Sequence, residues 1–568
     1  MTILTEKRIE TDILVIGGGG SGCFAAIKSH DSGANVLIVN KVPWLGGCTM
    51  VARAGYSAAL GELDSSDSVA RHVQDSLKAG DNVGNEKVLQ AMCRGNVDAT
   101  VDLLNWGAAF KKRPNGSCDL GDTPRPGHTS PRFVGVSGDY SHIGKTIMDA
   151  LQPQIKQRGI PVISNVMITR LLITEGEIAG AVGIDWRDGT FIIFNAKAVV
   201  LATGGTGHLY KYTDNPIYIT GDGYGAAYRA GAELVDMEFC DFQLGAYAPQ
   251  ELFGYPPNCA FWMSKGAILI NRNGERFFKK YLPHRQSEAE CLRTEISRAV
   301  AWEILEGHGS ENGMIFLNCS DVPKDWMMTA RADMVSHFKR VGIDLTWQPM
   351  EVAPGNHTYL GGVRINELAE STTIKGLYAC GEAAGGWGGS NRLGGNGVAS
   401  ALGLGVVAGK SAAERRVAAM PRIDENQVRQ ERQKLIDIID CKGGIAPLKV
   451  KSKIQILMQE NAWLKRNEKG LKALLDELIK IEEHELPKLC LSGKKRTQRL
   501  LALRNALEVI NLVHCGKIVA VSALTRTESR GSHQRSDYVN KDDDNWLKNV
   551  IVYQKGREMQ VRTEPVVK

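Results

Sequence analysis

The sequence lacks the short cysteine spacings that bind iron–sulfur clusters or haem. Its 12 cysteines are scattered along 568 residues, with no C-x-x-C pair and no C-x-x-C-H sequence. Cluster and haem ligands normally come at such spacings, so we expect this chain to bind neither group. Dispersed cysteines are also typical of reduced thiols in a cytosolic protein. Iron–sulfur chemistry, if the chain takes part in it, would have to come from another polypeptide.

Long apolar runs and blocks of like charge are also missing. No stretch reaches the roughly 20 apolar residues that span a bilayer, and residues 1–8 lack the apolar core of a secretion signal. The net charge of +6 is spread along the chain, which argues against a nucleic-acid partner. We expect a cytoplasmic protein without a membrane span, and the length predicts about three or four domains or one elaborate fold.

Glycine, by contrast, is concentrated in two loops about 365 residues apart. The first loop, Gly17–Gly22, follows the apolar run Ile13–Ile16 and precedes a segment rich in small residues. This order predicts a buried parallel strand, a tight turn and a closely packed helix. Gly17 permits the turn, Gly19 lets the backbone approach a pyrophosphate, and Gly22 lets helix and strand pack closely. The helix N-terminus would then bind the phosphates.

The residue that ends a second predicted strand, Val36–Val39, weakens the case for NAD specificity. NAD-binding folds usually have an acidic residue at the end of this strand for the ribose, but the residue here is Asn40. The second glycine loop begins at Gly381-Glu382 and continues through Ser390–Gly397 into a Gly- and Ala-rich stretch that predicts a buried helix. Both loops in this order predict that they close over one FAD.

The pattern along the chain predicts an α/β fold: a Rossmann-like FAD-binding domain, an inserted α+β capping domain and a C-terminal helical domain. Residues 1–235 would form the first part of the FAD-binding domain and residues 351–420 its second part. Residues 236–350, where glycine motifs stop and aromatic residues increase, would form the capping domain that covers the substrate. Residues 421–568 are charged with amphipathic spacing, which predicts helices and a tail.

Together these motifs resemble the flavoprotein subunits of the fumarate reductase/succinate dehydrogenase family, with L-aspartate oxidase and adenylylsulfate reductase alpha subunits as relatives. The resemblance covers nearly the whole chain. It is carried by the first glycine loop, Ala202–Gly205, Thr220–Gly223, Gly274–Phe277, His357 with Gly361-Gly362, Gly381-Glu382, Asn391–Asn396 and Arg526–His533. We expect the last of these clusters to be structural or to contact a partner.

The resemblance implies roles for individual residues. Arg293 matches the arginine that gives a proton to the substrate, and His357 and Arg392 match the pair that binds a substrate carboxylate. The cofactor site is expected to contain Gly17, Gly19, Gly20, Ser21, Gly22, Asn40, Lys41, Gly47, Cys48, Thr49, Gly55, Ala202, Thr203, Gly204, Asp222, Glu382, Arg392, Gly397 and Val398. Asp222 could cap a helix instead of binding the cofactor. No metal site is expected.

The chain departs from the family pattern near the substrate. Cys48 stands where membrane-bound members have a histidine bonded to FAD, so we expect non-covalent FAD. The family's Phe-His pair is Phe242-Gln243 here, its Thr-Glu pair falls near Cys259-Ala260, and its relay arginine falls near Met263. Part of the dicarboxylate site is therefore missing. Three aromatic residues, Tyr247, Phe261 and Trp262, are compatible with a larger or partly aromatic substrate.

The preferred function is hydride transfer between the flavin and a C=C or CH–CH bond of a small organic acid. Electrons would be exchanged with an iron–sulfur subunit, and any membrane association would come through partner subunits. Three alternatives remain open: an oxidase of the aspartate-oxidase kind, a flavoprotein like adenylylsulfate reductase, and a flavin subunit that only transfers electrons.

Overall fold

The computed structural model describes residues 5–44, 46–61, 65–136, 142–415 and 417–568. Its strands, in chain order, are β1 (Glu6–Ile16), β2 (Val36–Asn40), β3 (Tyr56–Ser57), β4 (Phe133–Val134), β5 (Val162–Ser164), β6 (Val166–Thr174), β7 (Glu177–Asp185), β8 (Phe191–Leu201), β9 (Leu234–Val235), β10 (Cys240–Gly245), β11 (Ile268–Ile270), β12 (Ile315–Asn318), β13 (Met350–Tyr359), β14 (Gly362–Val363), β15 (Leu377–Ala379), β16 (Lys465–Arg466), β17 (Gln534–Arg535), β18 (Lys548–Lys555) and β19 (Glu558–Pro565).

The helices, in the same order, are α1 (Gly20–Asp31), α2 (Cys48–Val51), α3 (Val69–Ala79), α4 (Glu86–Asn105), α5 (Ile143–Gln157), α6 (Asp222–Arg229), α7 (Cys259–Met263), α8 (Phe278–Tyr281), α9 (Arg293–Glu303), α10 (Lys324–Ala330), α11 (Ala332–Arg340), α12 (Asn396–Glu414), α13 (Glu425–Asp440), α14 (Pro447–Asn461), α15 (Glu468–Lys480), α16 (Arg496–Thr525) and α17 (Asp543–Trp546).

The central sheet has the strand order β5-β2-β1-β8-β7-β6, and β15 pairs with the end of β8. Strands β1, β2, β5, β8 and β15 are parallel, whereas β6 and β7 pair antiparallel at one side. Because the parallel strands end at the same edge of the sheet, the loops after β1, β2, β8 and β15 meet there. Both glycine loops therefore reach one place, as the sequence predicts.

Helix α12 packs against α1 through glycines. A Cβ at Gly405 would lie 2.6 Å from the carbonyl oxygen of Ser21, and one at Gly409 would lie 2.4 Å from that of Ala25. Such distances are far inside van der Waals contact, so only glycine allows the two helices to approach this closely. The Gly- and Ala-rich run is a buried helix, as predicted, and its N-terminus is brought to the edge where the loops meet.

The segment predicted to cap the substrate contains an antiparallel sheet of order β10-β13-β12-β11 with α7 to α11 around it. Its core includes Trp262, Phe278, Val300 and Phe338. Strand β13 begins at Met350 and pairs with β10 and β12, so the boundary predicted between residues 350 and 351 falls at the start of a strand of this sheet. The domain boundaries stay predictions.

The C-terminal region is mainly helical, as predicted, with α13 to α16 packed around a shared apolar core. Among the described residues, α16 is the helix long and apolar enough to cross a membrane, but 78% of its most apolar window is buried within the protein. Its apolar composition is explained by this burial. The tail also forms β18 and β19, which extend a sheet containing β9 and β14 and had no counterpart in the predicted elements.

The C-terminal cluster predicted to be structural or to contact a partner lies inside the protein. Arg526, Glu528, Arg530 and His533 are all buried. The Arg526 guanidinium donates to Glu238 Oε1 at 2.7 Å and to Glu528 Oε1 at 2.9 Å. These buried, paired charges join the tail to the segment before β10, which supports the structural role.

Candidate functional site

A cavity of about 420 Å³ opens where the loops after the parallel strands meet the capping sheet. Nearly all residues predicted for the site line it: Gly17, Gly19, Ser21, Asn40, Lys41, Gly47, Cys48, Thr49, Gly55, Ala202, Thr203, Gly204, Asp222, Arg293, His357, Glu382, Arg392, Gly397 and Val398. The two predicted residues outside the lining are Gly20 and Gly22. The structure thus brings residues from six distant parts of the chain to one space.

Gly17 and Gly22 have packing roles in the first glycine loop. Gly17 has φ +112°, and a Cβ there would lie 2.2 Å from the carbonyl oxygen of Ala202. A Cβ at Gly22 would lie 1.8 Å from the carbonyl oxygen of Gly17. Side chains at either position would separate α1 from β1 and β8. The N–H of Gly20 donates to Thr49 Oγ1 at 3.1 Å.

The lining has polar atoms that suit the dinucleotide. Asn40 Oδ1 accepts the N–H of Gly18 at 2.8 Å, while its buried Nδ2 has no hydrogen-bond partner within the described chain. Thr203 Oγ1 is likewise buried without a partner there. Unsatisfied buried polar atoms are costly, so a ligand with hydroxyl or phosphate groups would be stabilised beside them. Together with the N-terminus of α1, these atoms fit FAD.

Lys41 and Asp222 bind each other across the cavity wall. Lys41 Nζ lies 2.6 Å from Asp222 Oδ2 and 3.1 Å from Glu508 Oε1. Asp222 is the first residue of α6 and its side chain does not cap the helix, whose N-cap is Gly221 with φ +75°. The helix-capping alternative for Asp222 is therefore wrong, and its carboxylate faces Lys41 and the cavity.

Glu382 is an acidic residue in the cavity lining whose pKa is raised. Its Oε1 accepts the N–H of Tyr359 at 2.8 Å. Burial raises the pKa of Glu382 to about 7, and the Asp214 carboxylate contributes to the rise while Arg392 opposes it. With a pKa of about 7 the carboxyl group is protonated in about half of the molecules at pH 7, and the protonated form can donate a hydrogen bond to a ligand. Glu382 is thus a donor candidate at the end of the second glycine turn.

The Glu382 pKa predicts a pH-dependent stability difference in flavin-free protein. Between pH 4.5 and 7 the unfolded chain loses this proton before the folded chain does, so the free energy of unfolding falls as pH rises. The Glu382→Gln variant has no such proton. Relative to the wild type, its free energy of unfolding should therefore rise by up to about 3 kcal/mol across this interval. Urea unfolding of both proteins at pH 5 and pH 8 measures this change. If the free energies of unfolding of variant and wild type differ by the same amount at both pH values, the raised pKa assigned to Glu382 is wrong.

Cys48 begins the short helix α2 and lines the cavity. Its Sγ lies 3.4 Å from Asn215 Oδ1. Burial raises the pKa of the Cys48 thiol well above its ordinary value, and the carboxylates of Glu382 and Asp214 raise it further. Since the thiolate is the nucleophilic form, this thiol is poorly reactive.

Arg293 and Arg392 converge on one buried carboxylate. Arg293 Nη1 donates to Asp241 Oδ2 at 2.9 Å, and Arg392 Nη2 donates to the same oxygen at 2.8 Å. Burial favours the neutral acid, but the guanidinium groups of Arg293 and Arg392 outweigh it and hold the pKa of Asp241 below its usual value. Asp241 is ionised and fixes both arginines.

Secondary structure fixes the position of Arg293. It is the first residue of α9, where the Glu295 carboxylate accepts the N–H of Leu292 at 2.8 Å. Ser297 Oγ, one turn later, donates to the carbonyl oxygen of Phe242 in β10 at 2.7 Å. Helix α9 is therefore tied to the strand that carries Asp241, and the arginine and its partner move together.

His357 lies in β13 and faces Asp214. Its Nδ1 is 2.8 Å from Asp214 Oδ2, and Asn215 Nδ2 donates to the His357 carbonyl oxygen at 2.9 Å. A carboxylate on one ring nitrogen orients the imidazole and leaves Nε2 as the second polar atom. His357 and the two arginines thus supply fixed polar groups to the cavity.

The positions where the chain departs from the family pattern do line the cavity. Gln243, Cys259, Ala260 and Met263 all face it, so this wall lacks the charged side chains of the family pattern. Of the three aromatic residues compatible with a larger substrate, only Phe261 lines the cavity. Tyr247 packs on Tyr212, and Trp262 lies in the core of the capping segment. Neither side chain therefore supports a larger substrate.

Two functional residues, Asp214 and Asp241, were not found from the sequence. Both are acidic residues outside any glycine motif. Asp241 stands directly before the Phe242-Gln243 pair, which is the one signal that could have drawn attention to it. Asp214 lies in the loop after β8, and only the fold brings it to His357.

Comparison with known proteins identifies the family. Residues 12–398 match the model described as FAD binding domain, and residues 451–568 match the model for the fumarate reductase flavoprotein C-terminus. A chain of the fumarate reductase (CoM/CoB) of Methanothermobacter marburgensis is 33% identical over 558 residues, which cover 97% of this chain and 98% of that relative. The chain belongs to the fumarate reductase/succinate dehydrogenase flavoprotein family.

Other similar proteins support the same family assignment. L-aspartate oxidase of Streptomyces coelicolor is 30% identical, covering 96% of this chain and 91% of that protein. The structure of E. coli quinol fumarate reductase matches with a TM-score of 0.90 at 25% identity, covering 99% of this chain and 97% of that one. The flavoprotein described here uses FAD and is an oxidoreductase of the kind that acts on CH–CH groups. The predicted family, fold class and cofactor are confirmed.

Proposed function

We propose that this flavoprotein reduces the activated carbon–carbon double bond of an organic acid, or catalyses the reverse oxidation. One observation carries the proposal: Arg293, Arg392 and His357 share a single cavity with both glycine loops. The polar groups that would bind and protonate the substrate thus lie in the space that the flavin loops enclose. An electron-transfer subunit without a substrate has no need of this arrangement.

Different residues of the chain would bind the substrate and supply the proton. FAD, when bound, supplies or accepts the hydride. Arg392 and His357 would bind a substrate carboxylate and orient the adjacent double bond. Arg293 would give a proton to the carbon beside the one that receives hydride. A guanidinium is normally never deprotonated, and here Asp241 holds it at a fixed place for the transfer. Exclusion of water from the cavity by the bound substrate would strengthen each of these interactions.

We propose that electrons are exchanged with a separate iron–sulfur subunit. All 12 cysteines are free, and the described residues contain no group of cysteines placed to bind a cluster. Relatives that are named as subunits, including succinate dehydrogenase flavoprotein subunits, support such a partner. Co-purification from the native source should yield a cysteine-rich ferredoxin-like protein with this chain. Isolation of an active chain with no iron would argue for another electron donor.

FAD is proposed to be held without a covalent bond, because the Cys48 thiol is protonated and poorly nucleophilic. Acid precipitation of the holoenzyme should therefore release the yellow colour into the supernatant. Cys48→Ala should behave identically and keep its flavin. Colour that stays with the wild-type pellet, and leaves it in Cys48→Ala, would show a thioether.

The reaction itself can be tested with reduced viologen dye as electron donor. The holoenzyme should oxidise the dye when an unsaturated acid from a panel of enoates is added, and Arg392→Gln should raise KM at least tenfold. Peroxide formed from an amino acid under air would favour the oxidase alternative. If no enoate reoxidises the enzyme, the proposed reaction is wrong.

A further inference from the structure

Two cysteine thiols meet in the C-terminal helical region, outside the cofactor cavity. None of the 12 cysteines, all within the described residues, is in a disulfide bond, and only Cys48, Cys441 and Cys490 are partly exposed. Cys48 lines the cavity. Cys441 and Cys490 are 49 positions apart, yet Cys490 Sγ lies 3.3 Å from the Cys441 carbonyl oxygen and the two thiols are in hydrogen-bonding contact. The partly exposed thiols outside the cavity therefore form one pair.

Backbone hydrogen bonds hold the two thiols together. Cys441 directly follows α13, and the turn after it lies against the segment that carries Cys490. The Ile445 N–H donates to the Lys488 carbonyl oxygen at 2.7 Å, and the Cys490 N–H donates to the Ile445 carbonyl oxygen at 3.0 Å. Gly444 allows this approach, because a Cβ there would lie 2.0 Å from the Lys488 carbonyl oxygen. Thiols that touch on paired segments can reach the geometry of a disulfide by rotation of their side chains.

The surroundings of the pair favour a disulfide over a metal site. Among the described residues, no third histidine, cysteine or acidic side chain joins the two sulfur atoms in a group that could hold an ion, whereas structural zinc takes four ligands. Burial raises the pKa of the Cys441 thiol, and the neighbouring Cys490 thiol raises it further. Since the thiolate is the attacking form, Cys441 is a poor first nucleophile.

We propose that Cys441 and Cys490 form a reversible disulfide, which makes this pair a thiol–disulfide modification site of the helical region. The oxidant is a small disulfide of the glutathione kind, and Cys490 is the thiol that attacks it. The proposal is independent of the proposed function, because neither thiol lines the cavity and no substrate takes part. Reversible disulfides of this kind are the type found where most thiols are kept reduced.

The exchange has a defined balance. The Cys490 thiolate attacks one sulfur of the small disulfide, whose S–S bond breaks, and the first small thiol leaves. Cys441 then loses its proton and attacks the Cys490 sulfur of the mixed disulfide, which releases the second small thiol. Two protein thiols are oxidised by two electrons, the small disulfide is reduced to two thiols, and the two protons pass to these products.

The new bond would close a loop that contains α14 and α15. Helix α14 supports the chain next to the cavity, since Gln455 Nε2 donates to the carbonyl oxygens of His208 at 3.0 Å and Tyr210 at 3.4 Å. A cross-link restricts the unfolded forms of the loop that it closes. The oxidised protein should therefore hold its flavin longer on heating than the reduced protein does.

Peptide mapping of the wild-type holoenzyme tests the modification directly. The protein is incubated with oxidised glutathione, its remaining thiols are blocked with iodoacetamide, and the unreduced digest is analysed by mass spectrometry. We expect a cross-linked peptide that joins Cys441 to Cys490 in more than about half of the chains, and dithiothreitol should remove it. If both cysteines are alkylated, or if each carries its own glutathione, the proposal is wrong.

Two serine variants test the order of the steps and the specificity of the pair. Cys441→Ser should accumulate a mixed disulfide between glutathione and Cys490, whereas an alkylated Cys490 in this variant would refute its role as the attacking thiol. Cys319→Ser removes a thiol buried in the core of the capping segment and should form the cross-link as the wild type does. Cross-links from Cys490 to other cysteines, as abundant in Cys441→Ser as the wild-type bond, would refute a specific pair.

Heat-induced flavin release measures the consequence of the bond. Flavin fluorescence is followed at raised temperature in the reduced wild type, the oxidised wild type and Cys490→Ser treated with oxidised glutathione. We expect the half-life of release to lengthen about threefold or more in the oxidised wild type alone. Equal half-lives in all three proteins would refute the stabilising effect, and a longer half-life in treated Cys490→Ser would show that glutathione acts elsewhere on the chain.

Discussion

Replacing Arg293 by Gln should lower kcat by about a thousandfold and leave KM within about threefold, because general acids contribute roughly 10²–10⁴ to rate. The side chain stands at the start of α9, with Asp241 as partner, while Arg392 and His357 remain to bind the carboxylate. Glutamine can still donate a hydrogen bond but cannot supply a proton or a charge. Steady-state kinetics with reduced viologen and an accepted enoate measure both constants.

A matched control exists on the same helix. Arg298 lies in α9 but outside the cavity lining, so Arg298→Gln should keep kcat within about twofold. Both variants should contain one FAD per chain, because neither residue lies in the glycine loops. Full activity in Arg293→Gln would show that this residue does not protonate the substrate. Equal losses in both variants would point to a defect of the helix rather than of catalysis.

The sequence was sufficient to predict that the glycine loops meet at one cavity because the determinants of those loops are local. Gly17, Gly19 and Asn40 sit at the ends of short apolar runs, and parallel strands bring such ends to one edge by geometry alone. A motif that combines a strand, a glycine turn and a helix therefore predicts both a fold and a ligand site. At Gly17 and Gly22 the same steric requirement for glycine underlies both the predicted fold and the predicted ligand site.

The substrate half could not be predicted to the same depth because its partners are distant in the chain. Asp241 meets Arg293 and Arg392, which are 52 and 151 residues away, only after β10, α9 and the second glycine loop have packed. Nothing near Asp241 in the sequence marks it as ionised or buried. The same reason explains Tyr247 and Trp262, whose aromatic side chains turn into the packing of the capping segment.

The strand pairing of the C-terminal tail could not be predicted from the sequence for a different reason. Strands β18 and β19 are 8 residues each and pair with one another as a hairpin, yet β18 also pairs with β9, more than 300 positions earlier. A charged, helix-rich region gives no local indication of such a partner. Propensity within a segment predicts its own conformation, but the edge that a strand joins depends on tertiary packing.

Gly17→Ala should abolish FAD binding, with less than a tenth of the wild-type flavin content in purified protein. The added Cβ would lie 2.2 Å from the Ala202 carbonyl oxygen, and a backbone at φ +112° is strained for any L side chain. Gly33→Ala is the matched control, because Gly33 also has positive φ (+91°) but a Cβ there meets no atom within 4 Å. It should cost only about 1–2 kcal/mol of stability.

Absorbance at 450 nm relative to protein, together with thermal unfolding, separates the two effects. If strain at positive φ were the whole cause, both variants would lose flavin alike. Because only Gly17 touches the strand end at Ala202, the loss should be confined to Gly17→Ala, and added FAD should not restore it. A fully yellow Gly17→Ala protein would mean that the β1 turn can move away from β8 without opening the cofactor site, and the packing described for this loop would then be wrong.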